Sequence, residues 1–353
     1  ADTINGGADN DAITGGADND NLTGGSGNDT FNVDSGTDTI TDLSTGDILN
    51  VSSGATANIT NVTSFTATAS SSNSGTVTIS TDNSLGGTVD MSSAGGNYTI
   101  NGQGSIDTIT GGGGNDIISG GTGADALTGG AGNDNISGGA DNDNMTGGSG
   151  NDTFNVDSGT DTITDLTTGD ILVVSSGAIA NATNISAFVA TGSTSNSGTA
   201  NLTASNSGGS IDVGNSTTGA YNLTGLAGAD TLKGNSNNDT IDAGSGNDNI
   251  DGRGGNDQIN AGDGDDTIIV SSAGQGNSDT IDGGNGTDTV QLSSGSHSFS
   301  SDSSIQNIQA ITLDAAGTTI DLTGQTEGLS ITGGAGGDII TAGAGNDIIA
   351  GAA

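Results

Sequence analysis

Aspartate returns at every ninth position over long stretches of this chain, and the residue two places after each one is apolar. A first run holds Asp2, Asp11, Asp20 and Asp29, and a second holds Asp107, Asp116, Asp125, Asp134, Asp143 and Asp152. A third holds Asp230, Asp239, Asp248, Asp257 and Asp266, followed by the frame-shifted pair Asp279 and Asp288 and the terminal pair Asp338 and Asp347. These aspartates are the candidate metal ligands. Asp38, Asp47, Asp161 and Asp170 keep the period but sit in Val-Asp-Ser-Gly-Thr-Asp and Asp-Leu-Ser/Thr-Thr-Gly-Asp settings without a double glycine, so they stay outside that set. A side chain of one type at fixed spacing forms a file of carboxylates once the repeats stack, and such a file requires counter-charge. The formal charge is −40, the cations are Lys233 and Arg253, and of 42 acidic residues only Glu327 is glutamate. Short aspartate arms beside backbone carbonyls make an oxygen-only donor set, which suits a hard divalent cation, calcium before magnesium. About 20 such ions would neutralise the formal charge of −40.

The segments between aspartates are rich in glycine, as in Gly111-Gly112-Gly113-Gly114-Asn115-Asp116-Ile117-Ile118-Ser119. Consecutive glycines followed by Asn supply positions that tolerate positive φ, so half of each unit reads as a tight turn. The other half, x-apolar-x, has room for a short strand that points one side chain inward, such as Ile13, Leu22, Met145 or Phe154. A unit this small cannot fold alone. Stacked on its neighbours it becomes a rung of a parallel solenoid with a thin apolar core. Acidic Gly/Ser/Asn-rich chain is otherwise expected to be disordered, and without metal that is the expectation here. Binding free energy then becomes folding free energy.

These units resemble G-G-x-G-x-D-x-U-x, the calcium nonapeptide of RTX proteins. The resemblance implies an all-β fold, a right-handed parallel β-solenoid or β-roll in which two nonapeptides make one coil. It also implies calcium held between the aspartates named above and the turn carbonyls of neighbouring rungs. Some units depart from the pattern. Asp9, Asp18 and Asp141 replace the fourth-position glycine, Asn237 does so later, and all four are expected to accept the left-handed conformation. Arg253 replaces a turn glycine and is expected to place a cation beside an ion site.

A longer repeat encloses the short one. Residues 24–49 recur as 147–172 with one substitution, and the register of 123 residues carries Tyr98 onto Tyr221 and Asp107 onto Asp230. The reading is one continuous elongated body with calcium nonapeptide blocks at 1–50, 105–173, 228–290 and 333–353. Ser/Thr-rich blocks at 51–104 and 174–227 and a divergent β block at 291–332 lie between them as metal-free rungs. Segments such as Val77-Thr78-Ile79 and Ile211-Asp212-Val213 alternate apolar with polar residues and read as further short strands. From Asp265 onward the stretches Thr267-Ile268-Ile269-Val270, Gly283-Gly284-Asn285-Gly286-Thr287-Asp288-Thr289-Val290, Ile305-Gln306-Asn307-Ile308 and Ile311-Thr312-Leu313 resemble RTX-type bacterial surface-layer proteins. Both ends fall inside a repeat, which leads us to expect a repetitive region of a longer protein.

Catalysis finds no support. His297 is the single histidine and is expected in a surface loop, and carboxylate pairs drawn from an aspartate file carry no information about hydrolysis. A charge of −40 excludes nucleic acid as a partner. No apolar run is long enough to span a bilayer, and the absence of cysteine excludes disulfides. The expected role is a calcium-dependent structural protein of the bacterial cell surface, such as a surface layer, sheath, filament or adhesin stalk. By resemblance it is exported by type I secretion, with extracellular calcium triggering folding. Expected partners are further copies of the chain joined through calcium, with a cell-surface polysaccharide as the other candidate. The rivals are an accessory folding and secretion region of a larger secreted enzyme or toxin, and a glycan- or ice-binding solenoid.

Overall fold

The computed structural model describes residues 1–271, 278–299, 301–314 and 317–351. Among them are 40 β-strands and no helix, and the strands stack in parallel as a β-solenoid. Two compact units are present: residues 1–165 with 169–180, and residues 166–168 with 181–353.

In the first unit the chain alternates between ladders. One long ladder runs from Thr3–Ala8 through Asn21–Ser26, Thr37–Ile40, Thr56–Val62, Thr76–Thr81 and Tyr98–Asn101. It continues through Ile117–Thr122, Asn135–Ala140 and Thr153–Val156 to Ile171–Val174. The intervening strands form two other ladders, Ala12–Thr14 to Ser72–Asn73 and Ser64–Thr66 to Thr160–Ile163. In the nonapeptide blocks the pairing offset is 18 residues, two repeats per coil, as in Ile118↔Ile136↔Phe154↔Leu172 and Leu127↔Met145↔Ile163. This column is fully buried, one apolar side chain per half coil, each worth roughly 1.5–3 kcal/mol of burial. Met91, Met145 and Phe154 all lie in this core.

Residues 51–104 stack in the same parallel sense with wider coils: Phe65 pairs with Val89, Val89 with Ile109, and Val77 with Tyr98. The extra residues form turns such as the one at Asp82, whose Oδ1 accepts the Ser84 and Leu85 N–H groups.

In the second unit one ladder runs from Thr199–Ala204 through Tyr221–Thr224, Thr240–Asp242, Gln258–Asn260 and Thr280–Asp282 to Ile305–Gln306. Another runs from Ala187–Val189 through Ser210–Asp212, Thr231–Lys233 and Asn249–Asp251 onward to Ile348–Ala350. A third is short: Gly295–Ser298, Thr318–Asp321 and Ile339–Thr341. All five phenylalanines and both tyrosines of the chain are buried.

Three sequence expectations are corrected. His297 is not a surface-loop residue: it occupies an inward position of Gly295–Ser298, is 2% exposed, and its Nε2 lies 2.9 Å from the Ser293 carbonyl. The strand register, pairing His297 with Ile320, puts it in the apolar column. Asn237 does not adopt positive φ as Asp9, Asp18 and Asp141 do; its N–H instead donates to Asn235 Oδ1 at 2.7 Å in a local turn. Ile349 keeps the apolar spacing but is 51% exposed, because its strand is the last of its ladder.

Candidate metal centre

Each repeat delivers its aspartate at the point where the turn enters the strand, and the 18-residue coil brings successive aspartates of one file into register. One carboxylate oxygen is used structurally. Asp116 N–H donates to Asp134 Oδ1 at 2.7 Å and Asp134 N–H to Asp152 Oδ1 at 2.8 Å. In the alternate file Asp107 N–H donates to Asp125 Oδ1 and Asp125 N–H to Asp143 Oδ1. The same link joins Asp2 to Asp20, Asp11 to Asp29, Asp230 to Asp248, Asp239 to Asp257, Asp248 to Asp266, Asp257 to Asp279 and Asp266 to Asp288. Asp338 and Asp347 accept the Thr318 and Leu329 N–H groups. Most of these carboxylates are buried; Asp2 is exposed, and Asp11, Asp338 and Asp347 are half-buried.

The second oxygen has no such partner. Oδ2 of Asp11, Asp20, Asp107, Asp116, Asp125, Asp134, Asp143, Asp230, Asp248, Asp257, Asp266 and Asp288 is buried and accepts no hydrogen bond. Buried polar atoms are normally paired, so a repeated exception of this kind points to a missing partner. The first glycine of the repeat shows which oxygens come together. A Cβ at Gly6 would fall 2.6 Å from Asp11 Oδ2 and 2.7 Å from the Gly24 carbonyl oxygen of the next coil. The same pair, a carboxylate oxygen and the next coil's glycine carbonyl, converges at Gly111, Gly120 and Gly129. A carboxylate oxygen and a backbone carbonyl of adjacent coils thus come close together beside this glycine. Among the described residues no three acidic or histidine side chains converge on one point, so the donor set mixes carboxylate and backbone oxygen. Ala243 and Ala261 hold the glycine position for Asp248 and Asp266 and put a methyl group into that space.

Electrostatics agree with the geometry. Burial pushes the carboxyls of Asp116 and Asp161 up to about 7 and that of Asp257 to about 8. Those of Asp107, Asp143, Asp152, Asp239 and Asp248 rise to about 6, also through burial. Carboxylates along the file add repulsion, as Asp134 does at Asp116. Ionised at neutral pH, these groups demand a cation. Oxygen-only donors, one of them a rigid carbonyl, fit calcium. When bound, the ion supplies the positive charge that the chain's own cations cannot.

Several participants were not legible as ligands or supports. Asn residues before the aspartates do not take positive φ; their side-chain oxygens cap the next coil, as Asn115 Oδ1 does for Asn133 N–H and Asn133 Oδ1 for Asn151 N–H. Asp42 and Asp165 each receive two consecutive glycine N–H groups, Gly24/Gly25 and Gly147/Gly148, with one carboxylate. Gln309 Oε1 takes the place of an aspartate by accepting Asp288 N–H. Asp239 differs from its neighbours because its Oδ2 accepts the Asn235 N–H at 2.7 Å. Arg253, with φ of 66°, turns its guanidinium to Asp212 at 3.0 Å rather than into an ion site.

No curated protein matches the chain. The family model described as RTX calcium-binding nonapeptide repeat matches residues 1–31, 94–127, 128–163, 222–250, 242–271, 273–296 and 330–353, more than half of the sequence. With its repeat, its parallel coils and its paired carboxylate and carbonyl oxygens, the chain belongs to the RTX calcium-binding nonapeptide-repeat family.

Proposed function

We propose that this chain is a calcium-dependent structural element of a bacterial cell surface, folding after export and then associating with further copies of itself. The observation that carries the reading is the separation of charge from one face. In the long ladder of the first unit the outward positions are Thr, Asn, Ser, Ile and Val, among them Thr78, Thr99, Ile117, Asn135, Thr153 and Ile171. The one acid within those strands, Asp38, is buried, and Asp157 reaches the margin of the face by accepting a hydrogen bond from Ser137. A chain of formal charge −40 repels its copies over most approaches, and a face without charge is where that repulsion is weakest. Calcium at the turns removes much of the remaining repulsion.

A non-catalytic role is supported by the burial of His297, the single histidine, in the solenoid core. A glycan-reading face is less well supported, because all seven aromatic rings are buried. The test is light scattering with electron microscopy while calcium is added to chelated protein. Ordered assemblies that form with calcium and dissolve with chelator are expected. A protein that folds with calcium but stays monomeric at all concentrations would overturn self-assembly and leave the accessory folding region as the better reading.

A further inference from the structure

We propose that the first unit binds further copies of the chain through two opposite faces of different chemistry, so that its assembly is open-ended; this rests on the self-association proposed above. Between Thr108 and Ile163 successive strands alternate between the long ladder and the ladder that runs from Ser64–Thr66 to Thr160–Ile163. The inward side chains of both, such as Ile118 and Phe154 from one and Leu127 and Met145 from the other, are fully buried. The two ladders therefore enclose one core and turn their outward residues in opposite directions. On the second ladder the outward rows are Ala126–Asn144–Thr162 and Thr110–Thr128–Thr146, all exposed or half-buried and all uncharged. The one acid within the strands of this stretch, Asp161, is buried, and the exposed Asp141 and Asp157 lie outside the strands. Farther back the hydroxyl row meets Asp90, which is half-buried and accepts the Ser92 N–H.

This stretch is thus a slab with two neutral faces and acidic edges. Polar groups on both faces are already paired along the rows: the Thr146 and Thr164 hydroxyls lie 2.7 Å apart on one, and Asn155 Nδ2 donates to Asn135 Oδ1 at 2.7 Å on the other. Bonds made within a face survive when water leaves it, so covering such a face costs less than covering unpaired groups. The faces differ in character. That of the long ladder carries Ile117, 53% exposed, and the half-buried Ile171, whereas hydroxyls dominate the opposite one. Pairing like with like sets Ile117 against apolar surface and hydroxyl rows against hydroxyl rows, which is the isologous arrangement of a two-fold contact. One isologous face closes a dimer. Two on opposite sides do not close, because every added copy presents a fresh face, and the acids of the turns stay at the rim where solvent screens them.

The test places one charge on each face of the full chain and reads assembly size at saturating calcium by sedimentation velocity and electron microscopy, with circular dichroism confirming an unchanged β content. The unaltered chain is expected to grow with concentration into open assemblies. Ile117→Glu, on the long ladder, and Thr128→Glu, on the hydroxyl face, are each expected to stop at dimers held by the face left intact, and the double variant to be monomeric. Asn144→Glu is a second route to the hydroxyl face, at an exposed position of the neighbouring row, and is expected to reproduce Thr128→Glu. Open growth of folded Thr128→Glu or Asn144→Glu would overturn the second face, as would an unaltered chain that stops at dimers. Monomers from either single variant would overturn the pairing of like with like. An unaltered chain that folds with calcium and stays monomeric would overturn self-association itself, a result distinct from these.

Discussion

The aspartate carboxylate does two jobs with two oxygens. Oδ1 fastens the backbone of the preceding coil, and Oδ2 faces the space kept by glycine, so removing the charge has effects of opposite sign with and without calcium. Asp116→Asn keeps an oxygen for the Tyr98 N–H while deleting a buried charge whose carboxyl is raised to about 7. In chelator the variant is expected to be more structured than the unaltered chain; with calcium it is expected to need a higher concentration to fold, as circular dichroism along a calcium titration would read. Equal calcium midpoints for the two would remove Asp116 from the ligand set. The pH dependence follows from the same burial. Because the folded-state carboxyls are raised above the ordinary 3.8, the calcium-free fold binds more protons than the unfolded chain between that value and about 8. Stability without metal is therefore present below pH ~3.8 and lost as pH rises through the range ~6–8. Acidifying the chelated chain is expected to induce β-structure, and acidification that left it a coil would contradict the burial of these groups.

Coils are held by contacts between residues one turn apart, and the turn length decides which residues meet. The nine-residue spacing announces the short strands, the inward apolar column and the aspartate files, whereas the coil of two nonapeptides follows from the resemblance to RTX proteins and is seen in the 18-residue pairing offset. The roles of Asp42, Ser44, Asp165 and Gln309 are not legible in the sequence. Asp42, Asp165 and Gln309 act on residues that only the coil brings near, while Ser44 donates to Asp47 Oδ2 within a local turn. Nothing in Asp-Leu-Ser-Thr-Gly-Asp marks Asp42 as the cap of Gly24 and Gly25. His297 is illegible in the sequence for a related reason: polar flanks, Gly295-Ser296 and Ser298, mimic a loop, while the register of Thr318–Asp321 beside it fixes an inward position. The two glycines of a repeat are predicted to respond differently to alanine. Gly130 has φ of 117° and no space, since a Cβ would overlap the Gly112 carbonyl. Gly130→Ala is expected to cost at least about 1–2 kcal/mol from backbone strain alone. Gly120 keeps ordinary φ, and although a Cβ there would crowd the Asp125 side chain and the Gly138 carbonyl, Ala243 and Ala261 hold the same position of the repeat. Gly120→Ala is expected to leave the calcium-saturated fold intact and weaken one calcium site. Thermal unfolding at saturating calcium checks the pair, and equal melting temperatures for both variants would refute the distinction.

At the scale of the whole chain, two cations against 42 acids leave folding without an internal source of counter-charge. Arg253 and Lys233 serve a local group with Asp212 and Asp251 in one ladder of the second unit and leave the aspartate files untouched. The 123-residue repeat gives both blocks the same features: Gly15 and Gly138 face paired carboxylates, and Asp42 and Asp165 cap double glycines. Monovalent salt at 1 M shortens electrostatic reach to about 3 Å and relieves repulsion among exposed acids, but it does not ligate buried oxygen pairs. High sodium chloride is therefore expected to leave the chelated chain unfolded. The most direct measurement of the central claim is far-ultraviolet circular dichroism of the chelated chain at neutral pH during a calcium titration, with magnesium as the control. A cooperative coil-to-β transition with calcium and none with equal magnesium is predicted; full β-structure already present in chelator would contradict the account.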